Sequence, residues 1–540
     1  MRKVLSVMLA SAMALSAAAV PVTVLADDDS ENVTISFFDK NSGTRTFDDP
    51  VALELEKRTG VTIDLISPTG DPAEKLSLML AAQDYPDIVL MDRGSDIVNQ
   101  YIEAGALVNL SDYMDLMPNV VEMYGDTLNK TRYTDGNNYY LSNWYGYDPD
   151  PVNGFIARYD TMIELVGQER ADSDEPFTFS EWVDLLKLYK ETYPEVDGKE
   201  TIALELGEPS SDGVINGLFS GMNAMYPYYV TDGKVQFVVR DPRFLTVMHQ
   251  MNQLYREGLI DPEWTSNSSD LLNQKLANNN VFGYAGSYWD TWSASASLMQ
   301  SENENAEYLA YKVVADDVDP DHTTLSGRSS LGWDAIGVTT NCENIEAACK
   351  FIDYCASQEG QDLLLWGIEG QDWEFVDGVR TPIGDIVERY QADPTNVQNE
   401  TGITKWTWFV KNDVHPDDGT PCRIWFVEKD RSATYAYQNL TNAYYDTAEF
   451  ATLQPAGNSI EALEYQKILD IFNQAYPNMV NAASEEECDA VYEQMLADME
   501  DAGEEDVEAL ITETYFDRLA LWGEESVTGA SATEGSTEAE

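Results

Sequence analysis

The side chains that could do chemistry in this 540-residue chain are mostly carboxylates: the sequence contains 96 acidic residues, 32 basic residues and three histidines. His249, His322 and His415 stand at no spacing that suits a metal site or a catalytic nucleophile. Two carboxylates can hydrolyse a glycosidic bond, but among 96 acids the proximity of two in sequence carries little information. We therefore predict no catalytic residue, no bound metal and no cofactor.

Aromatic rings are the second chemical resource of the chain, which contains 30 tyrosines and 12 tryptophans. These rings combine a flat apolar face with a polar group, which suits a polyhydroxylated ligand; the alternative is that they fill a large core. The formal net charge of −64 would repel nucleic acid, anionic lipid and polyanionic substrates. The composition therefore favours neutral, hydroxyl-rich ligands and argues against a nucleic-acid partner.

The first candidate ligand residue is Asp92, which follows a short apolar run. Residues 74–83 have the apolar spacing of an amphipathic helix, and the segment before Pro86 ends it. Residues 87–91 then predict a strand that is buried on both faces. In open α/β sheets, ligands bind beyond the carboxyl ends of such strands, so we expect Asp92 at a ligand; the alternative is an acidic loop residue that faces water.

The elements around this run alternate between strands and helices. Strands are predicted at residues 33–38, 61–66 and 87–91, with helices between them, which indicates a largely parallel, doubly wound sheet. A second α/β unit begins near Asn153, and its strand at residues 281–285 delivers residues 287–292 to the same topological position as Asp92. The sequence also predicts a strand at 331–338 that returns to the first unit, a loop at 364–378 and a helical C-terminal region at 443–522. The length predicts two or three domains.

The first 26 residues have the form of a secretion signal, with a basic start, an apolar middle and a small-residue cleavage site. No later window has about 20 uninterrupted apolar residues, so no transmembrane helix is predicted. The tail after Gly523, rich in Gly, Ser, Thr, Ala and Glu, is predicted to be disordered. We expect a secreted, extracellular or cell-surface protein, which would be periplasmic if the host has an outer membrane.

Read in order, several segments of the chain resemble extracellular solute-binding proteins of family 1, in particular the large carbohydrate-binding subunits of ABC importers. The matching segments are EKRTGVTIDL at 56–65, KLSLMLAAQDYPDI at 75–88, YIEAGALVNLSDYM at 101–114, IARYDTM at 156–162, TFSEWVDLLKLYK at 178–190, DGKVQF at 232–237, LYREGLIDPEW at 254–264, GWDAIGV at 332–338, QEGQDLLLWGIEGQDWEFVDG at 358–378 and YFDRL at 515–519. Their order, from about residue 33 to 522, carries the resemblance. The family's lipobox cysteine is absent, because no cysteine precedes Cys342.

The resemblance implies an α/β fold similar to that of maltose-binding proteins. We expect a two-lobed, periplasmic-binding-protein-like fold of type II, with doubly wound sheets, hinge crossovers and a helical C-terminal region. The expected division is a signal peptide at 1–26, an N-terminal lobe at 27–145 and 335–400, a C-terminal lobe at 146–334 and 401–522, and a disordered tail at 523–540.

The resemblance also implies that Trp144, Arg158, Trp289, Trp333 and Trp373 face the cleft between the lobes. Sugar rings have apolar C–H faces, so the tryptophans would stack on them while carboxylates accept hydroxyl hydrogen bonds and basic groups donate. The full set of expected ligand residues is Lys40, Asp92, Arg93, Trp144, Tyr147, Arg158, Tyr288, Trp289, Asp290, Trp333, Asp334, Glu369 and Trp373.

The function expected from these observations is that of a solute-binding subunit of an ABC importer. It would bind a neutral oligosaccharide between two lobes and deliver it, as a monomer, to the transmembrane subunits of a permease. Two alternatives stay open: a secreted carbohydrate-active hydrolase, and a peptide-binding receptor of the same fold.

Overall fold

The computed structural model describes residues 32–146, 153–207, 215, 218, 227–319, 326–440, 444–451, 453–455, 457 and 459–524. The expected signal peptide, Tyr147 and residues 525–540 of the expected tail lie outside the described residues. Within them, no helix is both long enough and apolar enough to cross a membrane.

Two main sheets organise the described chain, and both are mixtures of parallel and antiparallel strands. Their strands are β1 (Val33–Asp39), β2 (Val61–Ile66), β3 (Ile88–Asp92), β4 (Leu141–Ser142), β5 (Asn153–Arg158), β6 (Ile202–Leu206), β7 (Val281–Ser287), β8 (Tyr308–Tyr311) and β9 (Asp334–Val338). The first sheet has the order β2-β1-β3-β9-β4, and the second has the order β6-β7-β5-β8. The chain thus returns to the first sheet with β9 after it has built the second.

The first sheet is buried on both faces, as the sequence predicts. Phe37 and Leu90 pack into one hydrophobic cluster, whereas Phe38 and Val89 pack into another on the opposite face. The α-helices of this lobe are Pro50–Thr59, Pro72–Ala82, Ile97–Glu103, Pro118–Tyr124, Thr127–Lys130, Ile345–Ala356, Gln358–Trp366, Ile386–Ala392 and Pro394–Thr401. Burial of both faces by helices is the arrangement that a doubly wound sheet requires.

The second sheet is likewise covered on both faces. Leu204 and Phe282 pack into one cluster, and Ile156 and Tyr284 pack into another. Its described α-helices include Tyr159–Val166, Gln168–Ala171, Phe179–Thr192, Pro242–Arg256, Ser269–Leu276, Trp292–Ser301 and Arg431–Leu440, followed by the C-terminal helices Ile460–Val480, Glu485–Asp501 and Glu504–Trp522. The two-lobed α/β architecture with a helical C-terminal region is confirmed.

Short paired strands complete the fold. The pairs are Trp144–Tyr145 with Val410–Lys411, Phe177–Thr178 with Val313–Val314, Glu195–Val196 with Lys199–Glu200, Tyr228–Thr231 with Lys234–Phe237, Ser326–Arg328 with Tyr444–Asp446, and Trp373–Val376 with Val379–Pro382. The last pair corrects the expected loop at 364–378, because that segment forms the end of a helix and a hairpin. The returning strand also begins at Asp334, so residues 331–333 form a loop.

Two of the expected boundaries differ from the packing. Ile403, Trp406 and Trp408 are buried in the core of the first sheet, although residues 401–522 were expected in the second lobe. We propose that the first lobe continues to about Ile424, the last buried residue of that core. The expected disordered tail also begins too early, because Glu524 forms an ion pair with Lys130 at 3.1 Å.

Candidate functional site

The carboxyl ends of β1 and β3 meet the start of β9 at one edge of the first sheet. Asp334, the first residue of β9, pairs in register with Asp92, the last residue of β3. Lys40 follows β1, and its Nζ lies 2.8 Å from Asp334 Oδ1. The structure therefore brings together Lys40, Asp92 and Asp334. The outermost two, Lys40 and Asp334, are 294 positions apart in the sequence.

Asp334 is fully buried and is held by a network of polar groups. Asn41 Nδ2 donates to its Oδ2 at 2.6 Å, and Asn143 Nδ2 donates to the same oxygen at 3.2 Å. Burial raises the pKa of Asp334 to about 6; the nearby Asp92 carboxylate adds to this rise, whereas Lys40 and Asn41 oppose it. Asp92 itself is exposed, and one of its oxygens accepts from the backbone of Gly94 at 2.7 Å.

Trp333 forms an exposed aromatic platform beside these carboxylates. Its residue surface is 44% exposed, and its ring stacks on that of Trp144 with centroids 5.7 Å apart and planes 29° from parallel. The close approach depends on Gly332, which has a φ of 61° and whose Cβ, if present, would lie 2.2 Å from the carbonyl oxygen of Trp144. A large exposed ring at the carboxyl edge of a sheet is the kind of surface on which a flat apolar ligand face can stack.

Arg93 does not lie on the surface; its side chain is buried and holds the loop that carries the Trp333 ring. Its Nη2 donates to Ser329 Oγ at 3.1 Å and to the carbonyl oxygen of Gly332, and its backbone N–H donates to the carbonyl oxygen of Trp333 at 2.9 Å. The side chain is buried, which lowers the pKa of Arg93. The expectation that Arg93 donates directly to a ligand is therefore replaced by a role in fixing the loop before β9.

The platform continues into side chains that the sequence reasoning missed. The guanidinium of Arg423 lies 4.9 Å from the ring centroid of Trp144 and 4.1 Å from that of Phe426. Trp144 is buried beneath Trp333 and Arg423, so it supports the exposed ring instead of offering its own face. Arg423 and Phe426 come from a segment whose contacts with Trp144 no local sequence pattern indicates.

The carboxyl end of β7 carries a second group of aromatic residues. A 3-10 turn at Tyr288–Thr291 follows the strand, and Asp290 Oδ2 accepts from Tyr284 Oη at 2.9 Å and from the Ser287 backbone at 3.0 Å. The side chain of Asp290 caps this turn, and burial raises its pKa.

The three aromatic side chains at residues 288–292 differ in exposure. Tyr288 is buried and packs edge-on against Trp289 and Trp292, so the expectation that Tyr288 faces a ligand is wrong. Trp289 is half-buried. Trp292 is 43% exposed, and its Nε1 donates to Ser432 Oγ at 3.0 Å. Trp292 was missed, although its place three residues after Trp289 on a helical turn could have indicated it.

Arg158 does not lie at this edge. β5 runs antiparallel to β7, with Asn153 opposite Ser287 and Ala157 opposite Gly283. Arg158 therefore lies at the start of β7, about 17 Å along the strands from Ser287 at about 3.4 Å per residue. It is buried there, with Nη2 2.8 Å from Asp160 Oδ2 and Nη1 donating to Asn279 at 3.1 Å. The expectation that Arg158 faces the cleft is wrong, since its guanidinium serves an internal ion pair.

Trp373 is also not a platform. It is 3% exposed and packs edge-on against Trp366, with centroids 6.0 Å apart, in the core of the first sheet. Its Nε1 donates to the carbonyl oxygen of Gly367 at 3.1 Å, which satisfies the only polar atom of the ring. The expected stacking role of Trp373 is therefore wrong. Glu369 is exposed on the turn before Trp373, with which it forms an isolated β-bridge.

A surface cavity of about 500 Å³ lies at the opposite edge of the first sheet. Val33, Gly60, Tyr113 and Lys350 are among the residues that line it. Val33 begins β1, so this cavity is at the amino end of the strand, away from Asp92 and Trp333. It includes none of the expected ligand residues, and we assign the candidate site to the carboxyl edges instead.

The chain matches the model of a known protein family. The model of the family described as bacterial extracellular solute-binding protein matches residues 40–362. Among curated proteins, the chain is 25% identical over 341 residues to the fructooligosaccharide ABC transporter substrate-binding protein FusA of Streptococcus pneumoniae. That match covers 59% of each chain, so the similarity spans less than two thirds of the length of FusA.

The similarity to solved structures is one of fold. The alginate-binding protein AlgQ2 superposes with a TM-score of 0.66 at 17% identity, over 90% of this chain and 98% of that one. An HMO-binding solute-binding protein of Bifidobacterium longum infantis gives 0.66 at 16%, over 90% and 99%. FusA in complex with kestose gives 0.62 at 16%, over 90% and 99%.

Proposed function

The chain belongs to the family of bacterial extracellular solute-binding proteins, and from that premise we propose that it binds an oligosaccharide between its lobes and delivers it to the permease of an ABC importer. The observation that carries the proposal is the exposed ring of Trp333, stacked on Trp144 next to Asp92, Asp334 and Lys40. A ring face beside acceptors and a donor is the combination that recognises a sugar.

In this proposal the side chains of the first lobe divide the work of binding. Trp333 stacks on the C–H face of a sugar ring, and Asp92, whose side chain is exposed, accepts hydroxyl hydrogen bonds. Ionised acceptors make stronger hydrogen bonds than neutral ones, which favours a carboxylate at this position. Lys40 donates to a ligand oxygen and at the same time neutralises Asp334, with which it forms an ion pair.

The second lobe contributes the turn after β7. Trp292 is exposed and Trp289 is half-buried, and both follow the carboxyl end of β7. Trp333 lies at the equivalent place in the first lobe, next to the carboxyl end of β3. A ligand that touches both lobes favours the closed form by its differential affinity for that form, which is the thermodynamic basis of hinge closure. The permease would then recognise the closed shape.

The ligands named for three relatives support one class of ligand for this chain. FusA is a fructooligosaccharide transporter subunit, AlgQ2 binds alginate, and the Bifidobacterium protein binds HMO. All three named ligands are saccharides, which supports a saccharide ligand for this chain. For this chain the net charge of −64 favours neutral oligosaccharides over polyuronates. We further propose that the protein acts as a monomer outside the cytoplasm.

Isothermal titration calorimetry with kestose, neutral milk oligosaccharides and alginate oligosaccharides tests the proposal. We expect one neutral member to bind to the wild type and to bind more weakly to Trp333→Ala. Product analysis after overnight incubation separates binding from hydrolysis, because a binding protein leaves the saccharide intact. Binding of a peptide library with no saccharide bound would instead favour a peptide receptor and refute the proposal.

A further inference from the structure

The loop at residues 329–333 carries the exposed ring of Trp333, which stacks on the buried ring of Trp144. The loop joins the short strand Ser326–Arg328 to β9, and 44% of the Trp333 surface is exposed to solvent. Because much of this ring is in water, its orientation depends on the backbone that carries it as well as on the stack with Trp144. The groups that hold residues 329–333 therefore determine how the platform is presented.

Asp446 binds this loop with both of its carboxylate oxygens. Its Oδ1 accepts from the Ser330 backbone at 2.8 Å and from the Ala448 backbone at 2.9 Å. Its Oδ2 accepts from Ser330 Oγ at 2.6 Å and from Lys130 Nζ at 3.2 Å. The carbonyl oxygen of Ser330 also accepts from Gly146 at 2.8 Å, so the loop is fixed on both sides of this residue.

Lys130 connects Asp446 to the end of the last helix. Its Nζ lies 3.1 Å from Glu524 Oε1 and 5.8 Å from the ring centroid of Trp522. Burial acts to lower the pKa of Lys130, but the two carboxylates outweigh it and raise that pKa, so the amine stays charged. The connected groups run from the C-terminal helix through Lys130 and Asp446 to the loop that carries Trp333.

We propose that Asp446 and Lys130 are positioning residues for the Trp333 platform, and that the end of the C-terminal helix supports it through Glu524. Neither Asp446 nor Lys130 needs to touch the ligand. The inference rests on the proposed function only in so far as Trp333 is the surface that a ligand uses. Loss of either positioning residue should loosen the ring and weaken binding, since a site that moves by about 1 Å loses much of its affinity.

The test uses ¹⁹F NMR of the full-length protein labelled with 5-fluorotryptophan. The Trp333 resonance is assigned by its disappearance in Trp333→Phe. We expect Lys130→Met and Asp446→Ala to shift or broaden that resonance, while the resonances of the buried Trp406 and Trp408 stay in place. Lys130→Arg keeps the positive charge, so in this variant the Trp333 resonance should lie at its wild-type position. A non-specific structural effect of replacing Lys130 would shift the resonance in Lys130→Arg as well.

Matched controls and a ligand measurement complete the design. Lys57→Met removes an exposed ion pair with Glu54, at 2.9 Å on the first helix, and should leave the Trp333 resonance unchanged. Glu524→Gln should shift it in the same direction as Lys130→Met. In a titration with kestose, Lys130→Met should weaken binding about tenfold while the protein stays folded.

An unchanged Trp333 resonance in folded Lys130→Met would overturn the inference, and Asp446→Asn repeats the comparison if Asp446→Ala does not fold. The ¹⁹F measurement needs no ligand. A wild type that binds no saccharide would therefore refute the proposed function and still leave the positioning role measurable. Kestose binding that is equal in wild type and Lys130→Met would overturn the inference and leave the proposed function in place.

Discussion

Replacement of Asp334 by asparagine should stabilise the protein at neutral pH, although Asp334 lies at the centre of the candidate site. The folded protein raises the pKa of this carboxyl from 3.8 to about 6, chiefly through burial. The folded state therefore holds the proton more tightly than the unfolded chain. The contribution of Asp334 to stability is most favourable below about pH 4, and it is lost as the pH rises towards 6.

The size of the effect follows from the difference between the two pKa values. A difference of about two pH units at 1.36 kcal/mol per unit corresponds to about 3 kcal/mol, as an upper value. The Asn41 and Asn143 amides that donate to Asp334 can also donate to the oxygen of asparagine, so the variant keeps hydrogen-bond partners. Lys40 loses its ion pair, but its side chain is partly exposed and can be solvated, which limits the offsetting cost.

The assay is chemical denaturation of wild type and Asp334→Asn from pH 4 to pH 8. We expect the two free energies of unfolding to agree near pH 4, to diverge as the pH rises from about 4 to about 6, and to keep a constant difference above pH 6, with the variant more stable by up to about 3 kcal/mol. Asp184→Asn, on an exposed helical position, is the matched control and should show no such divergence. A difference that is the same at every pH, or a variant that is less stable at pH 7.5, would refute the reasoning.

Further predictions concern the tryptophans and the glycine beside Trp333. Trp333→Ala should weaken saccharide binding by about 1–3 kcal/mol at an unchanged Tm, and Trp289→Ala should weaken it by a similar amount; calorimetry checks both, and unchanged dissociation constants would contradict stacking. Trp373→Ala should lower the free energy of unfolding by about 3–5 kcal/mol, because it leaves a cavity beside Trp366, while its folded fraction binds as the wild type does; a selective loss of affinity would contradict this. Gly332→Ala should weaken binding more than Gly43→Ala, because only at Gly332 would a Cβ meet the Trp144 backbone; equal affinities in a titration would disprove that.

The first sheet and its functional edge could be read from the sequence because the physical signals are local. Residues 88–91 form a short apolar run, Pro86 and Asp87 precede it, and a charged turn follows, so the sequence predicts a buried strand with Asp92 at its end. Strand ends converge in a sheet, which is why Asp92 meets Asp334 and Lys40 in space. The two-lobed fold followed from the order of such units and from the family resemblance.

The errors arose where orientation and packing depend on distant parts of the chain. Arg158 ends a strand, but β5 runs antiparallel between β7 and β8, so its carboxyl end is at the other edge of the sheet. No local pattern reports strand direction. Trp373 lies in a polar stretch, yet the fold packs it against Trp366 in the core. Arg423 reaches Trp144 across 279 positions, as 423 minus 144 shows, which composition and spacing cannot indicate.

Native mass spectrometry of protein purified from a medium rich in oligosaccharides tests the central claim most directly. Reversible clamping of an intact sugar predicts a complex of one chain with one saccharide, release of that saccharide at its original mass on denaturation, and loss of the complex in Trp333→Ala. A wild-type protein that carries no saccharide, or that releases a shortened product, would contradict the claim.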